Sequence, residues 1–519
     1  MSYLFPFEQR GIQFLPGQAN EFPAPCSEEE IRQFKETQQH LVQQFTEVFP
    51  DRLAPKAVVI IPSLTLDQDI LTRIEGINYY EERLLCLLML LKMPRTQVIY
   101  VTSMTIDPVI IDYYLHLLPG ITGYHARQRL TMLSCSDVSQ RSLTEKILER
   151  PLLIERIRNS IPPGYPAHIA SFNVTEKERT LAVRLGLPVY GCDPDCWYLG
   201  TKSGSRMIFQ KAGILMPPGF ENLANENDIV ESLFALKQQM PLLRKAVIKM
   251  NDGFSGEGNA VFSYNGAPEE SILKNWIKTQ LRYMHIIAPD LNYRTFMKKF
   301  TRMQGIVEAF IDGDIKASPS VQCRVNPLGE IDIISTHDQL LGGDAGQVFL
   351  GANFPASSEY AAEVGQLGKR VTEELKKMGV LGRFSVDFLS VKENNEWKHY
   401  AIEINLRKGG TTHPYLMLQF LTGGMYNADS GEFEMHDKKK RYYFASDNFK
   451  SDKCKGLTPH DLIDIAISND IHYNSTKEEG VMFHIIGALS QYGKLGIVCI
   501  GDSPEKASMY YNRTVDILG

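Results

Sequence analysis

The chain has no surplus of basic charge, no paired CxxC units, no long apolar run and no internal repeat, and each absence closes off a class of function. Its 519 residues carry 55 Lys and Arg against 61 Asp and Glu, a formal net charge of -6. A general nucleic-acid binder needs a basic surface to displace counterions from phosphates, so no nucleic-acid partner is expected. The eight cysteines stand at 26, 86, 135, 192, 196, 323, 454 and 499, and no two CxxC units exist to close a zinc site. Cys192 and Cys196 read as thiols near a turn. Met1 to Pro25 lacks the basic start and apolar run of a signal peptide. The most apolar segment, Leu84 to Leu91, is far shorter than the roughly 20 residues a membrane span requires. A reduced, cytoplasmic setting without a membrane partner is the expectation.

What is present is ample core material: 43% of the residues are hydrophobic, enough for two or three domains. Ser27 precedes Glu30 in a capping-box pattern, and Ile31, Phe34, Leu41, Val42 and Phe45 follow at helical spacing. Short apolar runs then alternate with helical ones. Strands are predicted at Ala57 to Ile61, Gln97 to Val101, His168 to Ser171 and Val189 to Gly191. Helices are predicted through Leu84 to Leu91, Val109 to Leu118 and Glu176 to Leu185. This alternation implies an α/β, parallel, doubly wound sheet. No GxGxxG follows any of these strands, so the usual dinucleotide fingerprint is missing and the region reads as substrate binding or scaffold.

From about Lys202 the texture changes to longer strands and Gly-rich turns, an α+β pattern. Strands are predicted at Ile306 to Asp312, Ile315 to Val325 and Ile331 to Thr336. Helices are predicted at Ser203 to Ala212, Glu269 to Gln280, Glu359 to Lys377 and Pro414 to Leu421.

Three pieces carry chemistry. In the first, an apolar strand ends at Lys249 and runs into a turn with Gly253, Ser255, Gly256 and Gly258; its amides can close on phosphates beside a fixed positive charge, although a Gly-rich hairpin can also be only a hairpin. In the second, strand alternation puts Arg383, Ser385 and Asp387 on one face, and Glu403, Asn405 and Arg407 on another. If the strands pair, two carboxylates and an amide oxygen converge, which suits Mg²⁺, a hard cation completing its shell with phosphate and water. Gly409, Gly410, Thr411, Thr412 and His413 follow at once and open a helix at Pro414, a place to hold a substrate carboxylate or simply a helix start. In the third, Glu308 sits within an apolar strand, where it could accept from an adenine amino group while the backbone of Ala309, Phe310 and Ile311 reads the ring edge.

The order of these pieces resembles the ATP-grasp superfamily, of which D-alanine:D-alanine ligase is a familiar member. Lys202 and its helix come first, then Lys249 and the glycine loop, the Glu308 strand, Asp387, and Glu403-Ile-Asn405. The likeness covers roughly residues 200 to 425. It implies that ATP lies between two lobes, with Lys202 and Lys249 on its phosphates, Glu308 and the hinge on adenine, Asp314 on ribose, and Asp387, Glu403 and Asn405 on magnesium. The stretches Ser318-Pro-Ser-Val-Gln, Ser335-Thr-His-Asp-Gln-Leu-Leu-Gly-Gly, Glu403 to Pro414 and Phe483 to Gly496 are similar to the subgroup typified by the peptide ligase of pheganomycin biosynthesis. That subgroup implies a pre-ATP-grasp domain at 1–200, an ATP-grasp domain at 201–428 and a small α+β C-terminal domain at 429–519. One departure stands out: Ser335-Thr336-His337 occupies the place where better-known ligases often have a lysine.

The activity this implies is ligation. A carboxylate attacks the γ-phosphate of ATP, and an amine then attacks the acylphosphate to form an amide. Arg407 is the expected stabiliser of the acylphosphate or oxyanion, since a guanidinium holds two oxygens at once. Arg383 and His337 are further candidates for contact with substrate, and His337 opens a Gly-rich stretch suited to a lid. A phosphotransferase or a non-catalytic nucleotide binder on the same scaffold are the rivals. The partners are small-molecule or peptide carboxylates and amines, and nothing in the pattern fixes an oligomeric state.

Overall fold

The computed structural model describes residues 23–66, 68–253, 258–288, 291–342 and 348–519. Four parallel strands, in the order Leu130–Ser134, Thr96–Thr102, Lys56–Ile61 and Ala167–Ser171, make the first sheet, of which Leu130–Ser134 is not among the predicted strands. Every residue of Lys56–Ile61 is buried because both faces are covered, as apolar parallel strands require. Ala57, Val59 and Ile61 pack beneath the helices Glu28–Glu47, Leu143–Leu148, Pro151–Asn159 and Glu176–Leu185. Val58 and Ile60 face the opposite layer. Val189 contributes only an isolated bridge to Ile169 in place of the expected strand.

The predicted helix through Leu84 to Leu91 is a run of 3-10 turns over Ile77–Lys92. Its second half, Leu84 to Leu91, is apolar on all sides because the segment lies between the first sheet and the helix Thr412–Thr422, which belongs to the α+β half of the chain. Periodicity cannot reveal the character of such a stretch, since its apolar residues form no stripe.

The α+β half holds two large sheets. The smaller has five antiparallel strands in the order Gly219–Leu223, Gly305–Ala309, Lys245–Met250, Asn259–Ser263 and His285–Ile286. Ala246, Ile248 and Met250 pack with Val307 and the helices Glu226–Gln239, Glu270–Gln280 and Tyr293–Met303. Alternation therefore turns Val247, Lys249 and Glu308 to the other face. The larger sheet has nine strands and is built around Gly382–Glu393, which pairs with Glu396–Asn405, Ile315–Ala317 and Pro319–Val325. The expected single strand from Ile315 to Val325 thus breaks at Ser318, ahead of Pro319. Beyond Pro319–Val325 the sheet continues through Ile331–Gly342 and Val348–Phe354 into Tyr442–Lys450, Lys494–Gly501 and Gly480–His484. Three strands of the C-terminal residues thus extend this sheet, while Glu432–Glu434 pairs with Met425–Asn427 in a separate two-stranded one. No helix among the described residues is long and apolar enough to cross a membrane.

Candidate active site

A cavity of about 820 Å³ opens between the five-stranded and nine-stranded sheets. Lys202 is the first residue of the helix Lys202–Ala212, capped by Thr201, whose hydroxyl accepts from Gly204 N–H at 3.0 Å. The helix passes so close to Tyr198 that a Cβ on Gly204 would lie 1.9 Å from its carbonyl oxygen, so glycine is required. Asn251, just past the Lys249 strand, accepts from the N–H groups of Lys202 at 3.2 Å and Ser203 at 3.0 Å. One residue therefore ties both lysines to a common frame. On the other side, Ser205 Oγ accepts from Ile404 N–H at 3.0 Å, fixing the same helix to the strand that carries Glu403.

The lysines meet acids rather than solvent. Lys202 is ion-paired with Glu403, and Lys249 Nζ lies 2.6 Å from Glu308. Burial, with Lys249 close by, depresses the Lys202 ammonium to about 7. Glu308 is 3% exposed and also meets Arg206 at 3.3 Å; Arg206 in turn donates to Pro217 O and Glu221. Glu308 lines the cavity with its carboxylate between Lys249 and Arg206, next to the segment expected to meet adenine. The neighbouring Ala309, Phe310 and Ile311 do line the cavity, just where the Gly305–Ala309 strand ends. Asp314 is exposed and lies off the cavity wall, against the ribose expectation.

The acidic cluster forms as the alternation requires. Asp387 pairs in register with Glu403, and Ser385 with Asn405. Ser320 Oγ donates to Asp387 Oδ1 at 2.6 Å, and the Asn405 amide donates to Asp387 Oδ2 and Glu403 Oε1, each at 3.0 Å. Burial raises the Asp387 pKa, opposed by Ser320, Lys202 and Arg407. Two carboxylates and an amide on adjacent strands, already sharing donors and cations, form a hard-oxygen set that fits a magnesium ion once the amide turns its oxygen inward. Arg407 lines the same wall; its pKa is lowered by burial, against the pull of Asp387.

Gly253, Gly258, Gly409, Gly410 and Thr411 also line the cavity, while Ser255 and Gly256 lie outside the described residues. Arg383, Thr412 and His413 do not reach it. Arg383 donates to Gln322 Oε1 at 3.2 Å, Thr412 Oγ1 accepts from Gly409 N–H at 3.1 Å, and His413 Nδ1–H donates to Arg83 O at 2.9 Å. These three hold the wall from behind. His337 is a clearer correction: it is fully buried, 2.6 Å from the Tyr443 hydroxyl, beside Phe354, with its pKa pushed down to about 3 by burial. No cation replaces the missing lysine there; the cations at the wall among the described residues are Arg83, Lys202, Lys249, Lys316 and Arg407. Arg83, with Tyr80, Phe172, Asp447 and Asn448, lines the cavity from outside the motif-bearing region.

Residues 196–285 and 290–429 match the family described as IQCH-like, ATP-grasp. Those residues form an ATP-grasp domain. After the ATP-grasp domain, residues 461–514 match the PGM1 C-terminal domain. Over 466 residues the chain is 27% identical to L-propargylglycine--L-glutamate ligase of Streptantibioticus cattleyicolor, covering 87% of this chain and 92% of that protein. It is 24% identical over 428 residues to IQ motif-containing protein H of Danio rerio, spanning 74% of this chain but 40% of that protein. Among solved structures, a biotin carboxylase–ATP complex from Campylobacter jejuni superposes with a TM-score of 0.52 at 13% identity, covering 87% of this chain and 89% of that one. That likeness is one of fold, over most of both chains.

Proposed function

We propose that the chain is an ATP-dependent carboxylate–amine ligase that forms an amide between amino-acid or peptide substrates through an acylphosphate. The observation that carries this reading is the meeting, in one cavity, of two lysines, the Asp387–Glu403–Asn405 set and Arg407. Lys202 and Lys249 would leave their carboxylate partners for the phosphates of ATP, and the 309–311 segment would take the adenine edge. Magnesium, held by Asp387, Glu403 and Asn405, would withdraw charge from the phosphoryl oxygens.

The substrate carboxylate oxygen attacks the γ-phosphorus, the bond to the β-phosphate oxygen breaks, and ADP leaves. An amine then adds to the acyl carbon, and phosphate departs as the amine loses its proton. Arg407 stabilises the negative oxygens of the acylphosphate and of the tetrahedral adduct. An enzyme consuming magnesium-ATP and carrying eight free thiols belongs in the reduced cytoplasm.

The test combines ATP, magnesium and a pooled amino-acid and peptide library with mass spectrometry of the products and a count of ADP and phosphate. Amide, ADP and phosphate should appear in equal amounts, and all three should cease in Asp387→Asn or on chelation of magnesium. A phosphorylated acid that accumulates with no amine requirement would replace this reading with phosphotransfer.

A further inference from the structure

Part of the cavity wall comes from outside the ATP-grasp domain. Arg83 arrives on the 3-10 segment Ile77–Lys92, and Asp447 arrives at a register shift in the strand Tyr442–Lys450, between Ser446 and Phe449. The two form an ion pair through Arg83 Nη2, and the guanidinium lies 4.0 Å above the Tyr80 ring. Lys494 reaches the same ring and donates to the Tyr80 hydroxyl at 2.6 Å. Arg83 is 9% exposed, yet its Nε finds no acceptor among the described residues. That nitrogen is closed off from the cavity, so a ligand there meets the rest of the Arg83 side chain, which lines the wall.

The position of this pair says which ligand. His413 Nδ1–H holds the Arg83 carbonyl, which ties Arg83 to the helix start just after Gly409 and Gly410. A Cβ on Gly410 would lie 3.8 Å from Asp447 Oδ2, so the loop and the ion pair are in contact. Arg83 is also close enough to Arg407 to disfavour its charge. The wall thus carries two guanidiniums, Arg83 beside Asp447 and Arg407 under the pull of Asp387, next to the expected reaction centre. A ligase handles two carboxylates there, the one it activates and any carried by the amine, and it must keep them apart.

We propose that Arg83 binds the free carboxylate of the amine substrate, with Asp447 orienting the guanidinium, so that the amine partner is an amino acid or peptide bearing its own carboxylate. This rests on the ligase reading above. It makes the N-terminal domain a specificity element for the amine and leaves activation of the other carboxylate to Arg407.

The experiment uses the full chain and an acid shown, by trapping with hydroxylamine, to be activated in the presence of ATP. Amide formation is then measured with the L-amino acids and with their α-carboxamides, for wild type, Arg83→Lys and Arg83→Gln. Wild type should favour the free acids by about 10- to 100-fold in kcat/KM, the worth of a charge-assisted contact. In both variants that preference should collapse toward unity, chiefly through KM for the amino acid, and guanidinium in the medium should restore part of it in Arg83→Gln. The ratio of amide to trapped hydroxamate should fall in step.

Variants that lose rate equally with acids and carboxamides would make Arg83 a structural clamp and overturn the proposal. Should the variants not fold, a wild type that accepts carboxamides as readily as acids overturns it alone. A wild type that gives neither hydroxamate nor amide with any acid defeats the ligase reading itself, a separate outcome.

Discussion

Raising the pH should loosen the seam between the N-terminal and C-terminal parts of the chain, through two adjacent carboxyls. Glu81 and Glu82 both border a cavity of about 250 Å³ at this seam. Glu82 accepts from Gly487 N–H at 3.0 Å, and Glu81 from Ser103 N–H at 2.6 Å. Burial, outweighing these bonds, raises Glu81 to about 7 and Glu82 to about 8, from an ordinary value of 4.5. The folded state therefore keeps protons that the unfolded chain releases above pH 4.5, and stability falls as pH rises toward 9. At pH 6 the linkage favours folding by about 3 kcal/mol from Glu82 and about 1 kcal/mol from Glu81, and by pH 9 nearly all of this is gone. Glu82→Gln keeps an acceptor for Gly487 and removes the titration. In urea unfolding from pH 6 to 9, followed by circular dichroism, wild type should lose about 4 kcal/mol and the variant about 1 kcal/mol. Parallel curves for the two proteins would refute the reasoning. Arg83 is the next residue in the chain, so the same loosening should raise KM for the amine substrate at alkaline pH.

Glu308→Gln should lower stability by about 3–5 kcal/mol in the absence of nucleotide, because Lys249 and Arg206 lose their buried counter-charge. Saturating ATP should return part of that, read as a rise in Tm, by giving Lys249 a new anion. His337→Phe should cost about 1–3 kcal/mol in urea unfolding, from the Tyr443 hydroxyl left without its partner, while initial rates stay within about twofold. Arg407→Lys should lower kcat for ADP release by about 10²–10³ with little change in KM for ATP, since the contact strengthens mainly as charge develops on the reacting oxygens.

What could be read from the sequence was local. The parallel sheet announced itself through apolar runs alternating with helical ones, and the pairing of Asp387 with Glu403 follows from strand alternation plus one hairpin. Lys249 and Glu308 share a face because Val247 pairs with Glu308, as antiparallel strands allow. What stayed hidden was who stands behind each face. Nothing local says that Arg206, about 100 residues away, reaches Glu308 and pairs with its carboxylate. His337 reads as polar and exposed in a Gly-rich stretch, and it is buried because the Tyr442–Lys450 strand supplies Tyr443 across a distance no periodicity encodes. Arg83 stands between two acidic residues and an apolar run that signals only core, and its partner Asp447 is 364 positions away.

The continuation of the nine-stranded sheet past the ATP-grasp domain also bears on how the chain is made. On the ribosome, the strand Val348–Phe354 is synthesised roughly ninety residues before its neighbour Tyr442–Lys450, whose Ala445 pairs with Ala352. At about 5–20 residues per second, one row of its backbone hydrogen-bonding groups waits about 5–20 seconds for that partner. During this interval the nascent chain presents an open sheet edge, the kind of surface that recruits strands from other molecules. Ending the protein at residue 428 would make that exposure permanent, so the last ninety residues are as much the guardian of the growing sheet as they are part of the cavity wall.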